Sequence, residues 1–145
     1  MPQLDLASAN TITTTALQHA QANGMKPMTV AVLDAGGHLV AFARQDNSGI
    51  LRPQIAIGKA WGSLGMGLGG RDLAQRAQSH PHFFAALSVA SEGRMFPAAG
   101  GVLVRDAAGT IMGAVGVSGD LPPADEACAL AGIAAAGWVG DPGAA

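Results

Sequence analysis

Val30-Ala-Val-Leu-Asp-Ala-Gly-Gly-His-Leu-Val40 and Val102-Leu-Val-Arg-Asp-Ala-Ala-Gly-Thr-Ile-Met112 are the two stretches from which the fold can be read. Each sets β-branched and aliphatic residues on both sides of an Asp-x-x-Gly turn. Glycine supplies the positive φ that a tight reversal needs, so each stretch reads as a β-hairpin. The two align at a constant spacing of 72 residues, with identities at Val30/Val102, Val32/Val104, Asp34/Asp106, Ala35/Ala107 and Gly37/Gly109. With strands over 28–34, 38–44, 101–105 and 110–118, and a helix-like segment after each hairpin, the chain reads as two related ββα halves.

Working outward, residues 5–22 place Leu6, Ala9, Thr13, Ala16, Leu17 and Ala20 on one face at helical spacing, with Asp5 or Ser8 as the cap and Asn23-Gly24 as the stop. Between the hairpins, Ser48 or Asn47 caps a helix with Pro53 in its first turn and an apolar stripe of Ile57, Ala60, Trp61, Leu64 and Leu68. Gly58, Gly62, Gly65, Gly67, Gly69 and Gly70 would each cost about 1 kcal/mol relative to alanine in a helix interior. Either something packs very close to this backbone or the helix breaks near Gly69-Gly70. Segments 71–77 and 81–90 read as shorter helices, 95–99 as a further short strand, and 123–136 as the last helix. Its first turn carries Asp125 and Glu126, where the macrodipole favours negative charge. Residues 140–145 read as a loose tail. The order gives one α+β domain over 1–145, core about 5–136, with an antiparallel sheet of about five strands and flanking helices.

Composition narrows the function. Among 145 residues there are 30 alanines and 21 glycines, charged residues are 12%, aromatics 4%, and mean hydropathy is +0.30. So little charge cannot dress a monomer's surface in the usual way, and the expectation is a homo-oligomer that hides apolar surface between copies. Eight scattered Lys and Arg residues at net charge −2 provide no basic stripe for nucleic acid. The longest nearly apolar run, 127–139, is too short for a bilayer, so no membrane partner is expected. The start, Met-Pro-Gln-Leu-Asp-Leu, has neither the basic nor the apolar region of a secretory signal, and a lone Cys128 suits a reducing compartment. A cytoplasmic location follows as the expectation.

The first hairpin with its continuation Ala41-Phe-Ala-Arg-Gln-Asp46, then Ile57-Gly-Lys-Ala60, Gly100-Gly-Val, Gly113-Ala-Val-Gly-Val-Ser-Gly119 and Asp125-Glu-Ala-Cys-Ala, resembles the GlcG/HbpS-like family, often labelled haem-binding or haem-degrading, which includes the C-terminal domain of PduO. The resemblance covers about residues 5–136. It implies a profilin-like α+β fold, compact homo-oligomers, and haem or a related tetrapyrrole as ligand.

Several side chains are candidates for chemistry. Arg52 and Lys59 lie seven residues apart on one helix face with Ile55 and Met66, opposite the apolar stripe. That face is solvated surface, or the wall of a pocket in which a desolvated lysine holds a carboxylate or moves a proton, or the site of a structural ion pair. Arg44 lies at even steps from His38, Val40 and Phe42, which would put all four on one sheet face; it pairs with Asp46 or Asp34, or reaches an anion beside Lys59. His80 and His82 in Ser-His-Pro-His-Phe-Phe, with Phe83 beside them, provide the imidazole and aromatic surface that a flat iron-bearing ring requires, and His19 is a third candidate ligand. His38 is expected in solvent and Cys128 in the core. One Cys and dispersed His residues do not make a zinc site. The glycine clusters lack the strand-to-helix context of nucleotide loops, and Ser118 lacks nucleophile-elbow spacing. Two functions follow: a haem-binding protein using His82, His80 or His19 with Phe83 and Arg52, or a cofactor-independent isomerase or lyase. The second would hold a small carboxylate with Lys59 and Arg44 or Arg52, and use Glu126 or Lys59 for the proton.

Overall fold

In a computed structural model describing residues 3–145, both hairpins form: β1 (Thr29–Asp34) with β2 (Leu39–Arg44), and β3 (Gly101–Arg105) with β4 (Ile111–Ser118). They lie side by side in one antiparallel sheet of order β2-β1-β4-β3-β5. The repeat extends beyond the sequence identities. Each register slips at an equivalent place, Val32/Leu33 and Val104/Arg105, and Gly37 and Gly109 both have positive φ. Asp34 Oδ1 accepts from Gly36 and His38 N–H, and Asp106 Oδ1 from Ala108 and Thr110 N–H. The following helices break the likeness, because they cover opposite faces of the sheet.

One face, through Val30, Val32, Val102, Val104, Val115 and Val117, packs on α1 (Leu6–Ala22) and α5 (Pro122–Ala135). Asp5 caps α1 by accepting from Ser8 N–H, and Ala9, Thr13, Ala16 and Ala20 are buried as expected, with Ile12 fully buried while Leu6 is exposed. The other face, through Leu33, Leu103 and Ala114, packs on α2 (Arg52–Met66). Here the buried residues are Ala56, Gly58, Lys59, Ala60, Gly62 and Ser63, while Ile57, Trp61 and Leu64 lie on the flanks. Ala60 is buried and Trp61 and Leu64 pack against the same cluster, as the stripe predicts, but the glycines put Ala56, Lys59 and Ser63 in the closest contact. A Cβ on Gly101 would stand 2.6 Å from the Lys59 carbonyl oxygen and one on Gly116 would overlap that of Ala56, so the sheet approaches the helix backbone and leaves room only for small side chains there. Neither Asn47 nor Ser48 caps α2. Its first turn follows Leu51 with Pro53 inside it, and Ser48 is buried against Thr29, hydroxyl to hydroxyl at 2.8 Å.

The glycines of α2 also meet residues 94–96, where Phe96 N–H donates to the Gly58 carbonyl. Segment 95–99 is therefore irregular chain held on a helix and not the expected strand. Gly67 ends α2 in the left-handed conformation, followed by α3 (Gly70–Ser79) and α4 (Pro81–Ala90), which close a satellite cluster of Leu73, Phe84 and Met95. The tail is also corrected: β5 (Val139–Asp141) pairs with β3, Arg105 bridges Asp141 at 2.9 Å, and the N–H groups of Ala144 and Ala145 bond Asp72. Its backbone donors and acceptors are used by the edge of the sheet and the first turn of α3.

Close approach makes a glycine pair informative. A Cβ on Gly132 of α5 would stand 2.5 Å from the Ile12 carbonyl of α1, whereas one on the exposed Gly65 meets only ordinary contacts with Trp61. Gly132→Ala is expected to cost about 1–3 kcal/mol by overpacking, and Gly65→Ala to gain up to about 1 kcal/mol through reduced chain entropy. Urea unfolding midpoints of the two variants check this.

Candidate functional site

Lys59 is the most buried cation of the chain, at 3% exposure, and Asp125 is buried beside it at 1%. The ammonium donates to Asp125 Oδ2 at 3.0 Å and to the Val117 carbonyl at 2.9 Å. Asp125 Oδ1 accepts from Asp120 N–H at 2.8 Å. Burial pushes the Lys59 ammonium below its ordinary value against the opposing pull of Asp125, and the nearby Arg52 charge acts in the same direction as burial. Burial likewise pushes the Asp125 carboxyl up, against the pull of Lys59. Of the readings open for this lysine, the solvated face is corrected and the ion pair forms: Lys59 is a desolvated amine with two of its three N–H donors committed to the protein.

The other proposed proton-transfer residues are committed as well. Glu126 is clamped by Arg71 in a two-bond pair at 2.8 and 2.6 Å, and Arg44 donates to the Ser48 carbonyl, paired with neither Asp46 nor Asp34. Arg44 and Phe42 share a sheet face, but the bulge turns Val40 to the opposite face, so the four-residue face from His38 to Arg44 does not form. Arg44 lines an open cleft with Gln21, Met25 and Asp46. Arg52, half-buried, donates to Ser118 Oγ at 3.0 Å, near Lys59 as its helix spacing requires. Lys59, Arg44 and Glu126 each bond a different partner, and none of the clefts described here is lined by more than one of them.

The histidines are distributed differently. His80 sits at the junction of α3 and α4, and lines a cleft of about 260 Å³ with Met66, Arg76, Phe83 and Phe84. Phe83 is exposed and meets Phe84 edge to face, with centroids 6.0 Å apart and planes at 77°. The cleft combines an imidazole, two aromatic rings, a thioether and a guanidinium. His82 and the half-buried His19 line none of the clefts described here. Sequence reasoning missed Arg76 and Met66 as cleft residues, although Arg76, His80, Phe83 and Phe84 follow a helical i, i+4, i+7, i+8 pattern across the junction. It also missed Asp125 as the partner of Lys59; an acid in the first turn of an otherwise apolar helix was the available signal. Cys128 is buried as expected, its thiol pushed up to about 11 chiefly by burial.

Residues 4–134 match a family model described as haem degrading protein HbpS-like. Among solved structures, HbpS is similar at 27% identity and TM-score 0.78, covering 92% of this chain and 90% of that one. A PduOC complex with haem shares the fold at 24% identity and TM-score 0.82, covering 92% of this chain and 95% of that one. The Klebsiella pneumoniae protein ORFY does so at 22% and 0.84, covering 94% and 93%. No curated protein matches the chain.

The buried pair generates a stability prediction. Asp125→Asn or Lys59→Met leaves the remaining charge without its partner, and each is expected to cost about 3–5 kcal/mol. The double variant Lys59→Met with Asp125→Leu removes both charges and is expected to lie closer to the parent than either single variant, measured by chemical unfolding.

Proposed function

Because the chain belongs to the HbpS-like haem-degrading family, we propose that it is a haem-binding protein whose iron ligand is His80. The cleft at the α3–α4 junction carries this reading, since it brings an imidazole, a paired aromatic wall and a cation together. Each has a task suited to a tetrapyrrole: His80 ligates iron, Phe83 and Phe84 cover the apolar macrocycle, and Arg76 meets a propionate. At about 260 Å³ the cleft is smaller than a usual ligand pocket of roughly 300–1,000 Å³. It receives one edge of the ring, and the exposed Phe83 outside it supports the remainder. Bound haem would supply redox and oxygen chemistry that these side chains lack.

Proton transfer at Lys59 is disfavoured by the same geometry. Two of the three N–H donors of this ammonium are engaged and the side chain is buried, so it offers little to an incoming carboxylate. Arg52, expected to help hold the ligand, instead bonds Ser118 at the far end of α2 from the His80 cleft.

Self-association belongs to the same proposal. Helix α4 contains no Asp, Glu, Lys or Arg, yet Phe83 and Val89 are exposed on it, and Ile50, Leu51 and Leu121 are exposed elsewhere. Together with the low charged fraction of the chain, this exposure supports self-association.

Hemin titration tests the ligand. A Soret shift is expected for the parent, for His19→Ala and for His82→Ala, with affinity at least tenfold weaker in His80→Ala and several-fold weaker in Arg76→Ala. Dependence on His19 or His82 instead would move the iron out of this cleft, and absence of any shift would overturn haem binding. Light scattering is expected to return a multiple of the 14.4 kDa chain mass; a monomer at micromolar concentration would sink self-association.

A further inference from the structure

The two hairpin turns share a frame but differ in one detail that folding does not require. At the position where the second turn holds Ala108, the first holds Gly36, and both donate their N–H to the turn aspartate at 3.0 Å. Gly36 does not have a left-handed φ, so the backbone there accepts any residue. A side chain there would displace the imidazole: a Cβ on Gly36 would stand 2.8 Å from Cε1 and 2.9 Å from Nδ1 of His38. The imidazole lies flush on the turn, where the second hairpin has only Thr110. Its Nδ1 is 3.0 and 3.3 Å from the two Asp34 carboxylate oxygens.

An ionised carboxylate only accepts, so Nδ1 carries the hydrogen, and in the neutral imidazole Nε2 is then the nitrogen with the free lone pair. Partial burial alone would push the Asp34 carboxyl up, but the N–H groups of His38 and Gly36 and the imidazole hold it below the usual carboxylate range. With 79% of its side chain exposed, His38 is accessible, and it lines a cleft of about 430 Å³ with Met112, Asp34, Gln3 and Leu4. An imidazole whose second nitrogen is held by a carboxylate is the arrangement that orients a metal-ligating histidine.

We propose that His38, held by Asp34 on the bare Gly36 turn, forms with the Met112 thioether a binding site for a soft transition-metal ion, copper(I). Thioether and imidazole donors select copper(I) over magnesium or calcium, which take oxygen ligands. Zinc requires three or four protein donors, and among the described residues no three His, Cys, Asp or Glu side chains gather to hold a metal. The buried Cys128 thiol is withdrawn from competition.

Copper(I) titrated anaerobically against bicinchoninate reads the site directly. The parent is expected to bind one ion, with affinity at least tenfold weaker in His38→Ala and in Met112→Leu, and several-fold weaker in Gly36→Ala. Gly36→Ala is the decisive variant, because Ala108 shows that the turn accepts alanine, so only the seating of the ring changes. His80→Ala is expected to bind copper as the parent does. Parent-like affinity in both His38→Ala and Gly36→Ala, or copper binding that follows His80, would overturn the site. So would loss of the hemin Soret shift in His38→Ala, which would assign the imidazole to haem iron.

Discussion

The ion pair between Lys59 and Asp125 sets the relation between the two faces of the sheet. Lys59 belongs to α2 and Asp125 to α5, and these helices cover opposite faces. Their side chains meet around the end of β4, where the ammonium also takes the Val117 carbonyl. The passage exists because Gly100 has no Cβ; one placed there would lie 2.8 Å from Nζ and 3.2 Å from the Asp125 Cβ. Asp125 then holds Asp120 N–H, which sets the turn from β4 into α5. Burial drives both groups towards their neutral forms, so the pair is costly as a source of stability. Its effect is to allow one position of α2 relative to α5, since any slip leaves two buried charges unpaired.

A second constraint follows from the scarcity of large side chains. With 4% aromatics the chain cannot fill a wide core, and it narrows the core instead. Gly101 and Gly116 bring the sheet onto the backbone of α2, Gly58 brings residues 94–96 onto the same helix, and Gly132 brings α5 onto α1. Dispersion between backbones replaces dispersion between side chains, and the geometry must be close because such contacts fade within an ångström. The cost appears at the surface. Small residues occupy the interior, while Ile50, Leu51, Val89 and Leu121 remain exposed.

These constraints explain which parts were legible in the sequence. The hairpins were, because alternating β-branched residues and Asp-x-x-Gly turns are local signals, and even the bulges recur at the spacing of the repeat. The helix of Arg52–Met66 was legible in its existence but only partly in its orientation: Ala60, Trp61 and Leu64 face the sheet as their stripe predicts, but a stripe locates the closest contact only when side chains set the packing distance. Gly116 and Gly101, distant in sequence from the Ala56 and Lys59 backbone they meet, set it here, and Lys59 is buried with Ala56 and Ala60. The ion pair with Asp125 and the clamp of Arg71 on Glu126 span 66 and 55 positions, which no local pattern registers. The tail was read as loose because its composition is that of a loop, whereas its order comes from β3 and Asp72.

The proposed haem cleft lies outside both main clusters, on the satellite of Leu73, Phe84 and Met95. A small cluster holds its helices less firmly than the sheet holds α2, so α3 and α4 are the part of the fold most able to adjust to a ligand. Phe84 links the two roles. It is buried in the satellite, and it also lines the cleft and fixes Phe83 edge to face. The aromatic wall is therefore anchored at one ring and free at the other. That division suits a flat ligand larger than the cleft, because the buried ring preserves the site while the exposed ring conforms to whatever extends beyond it.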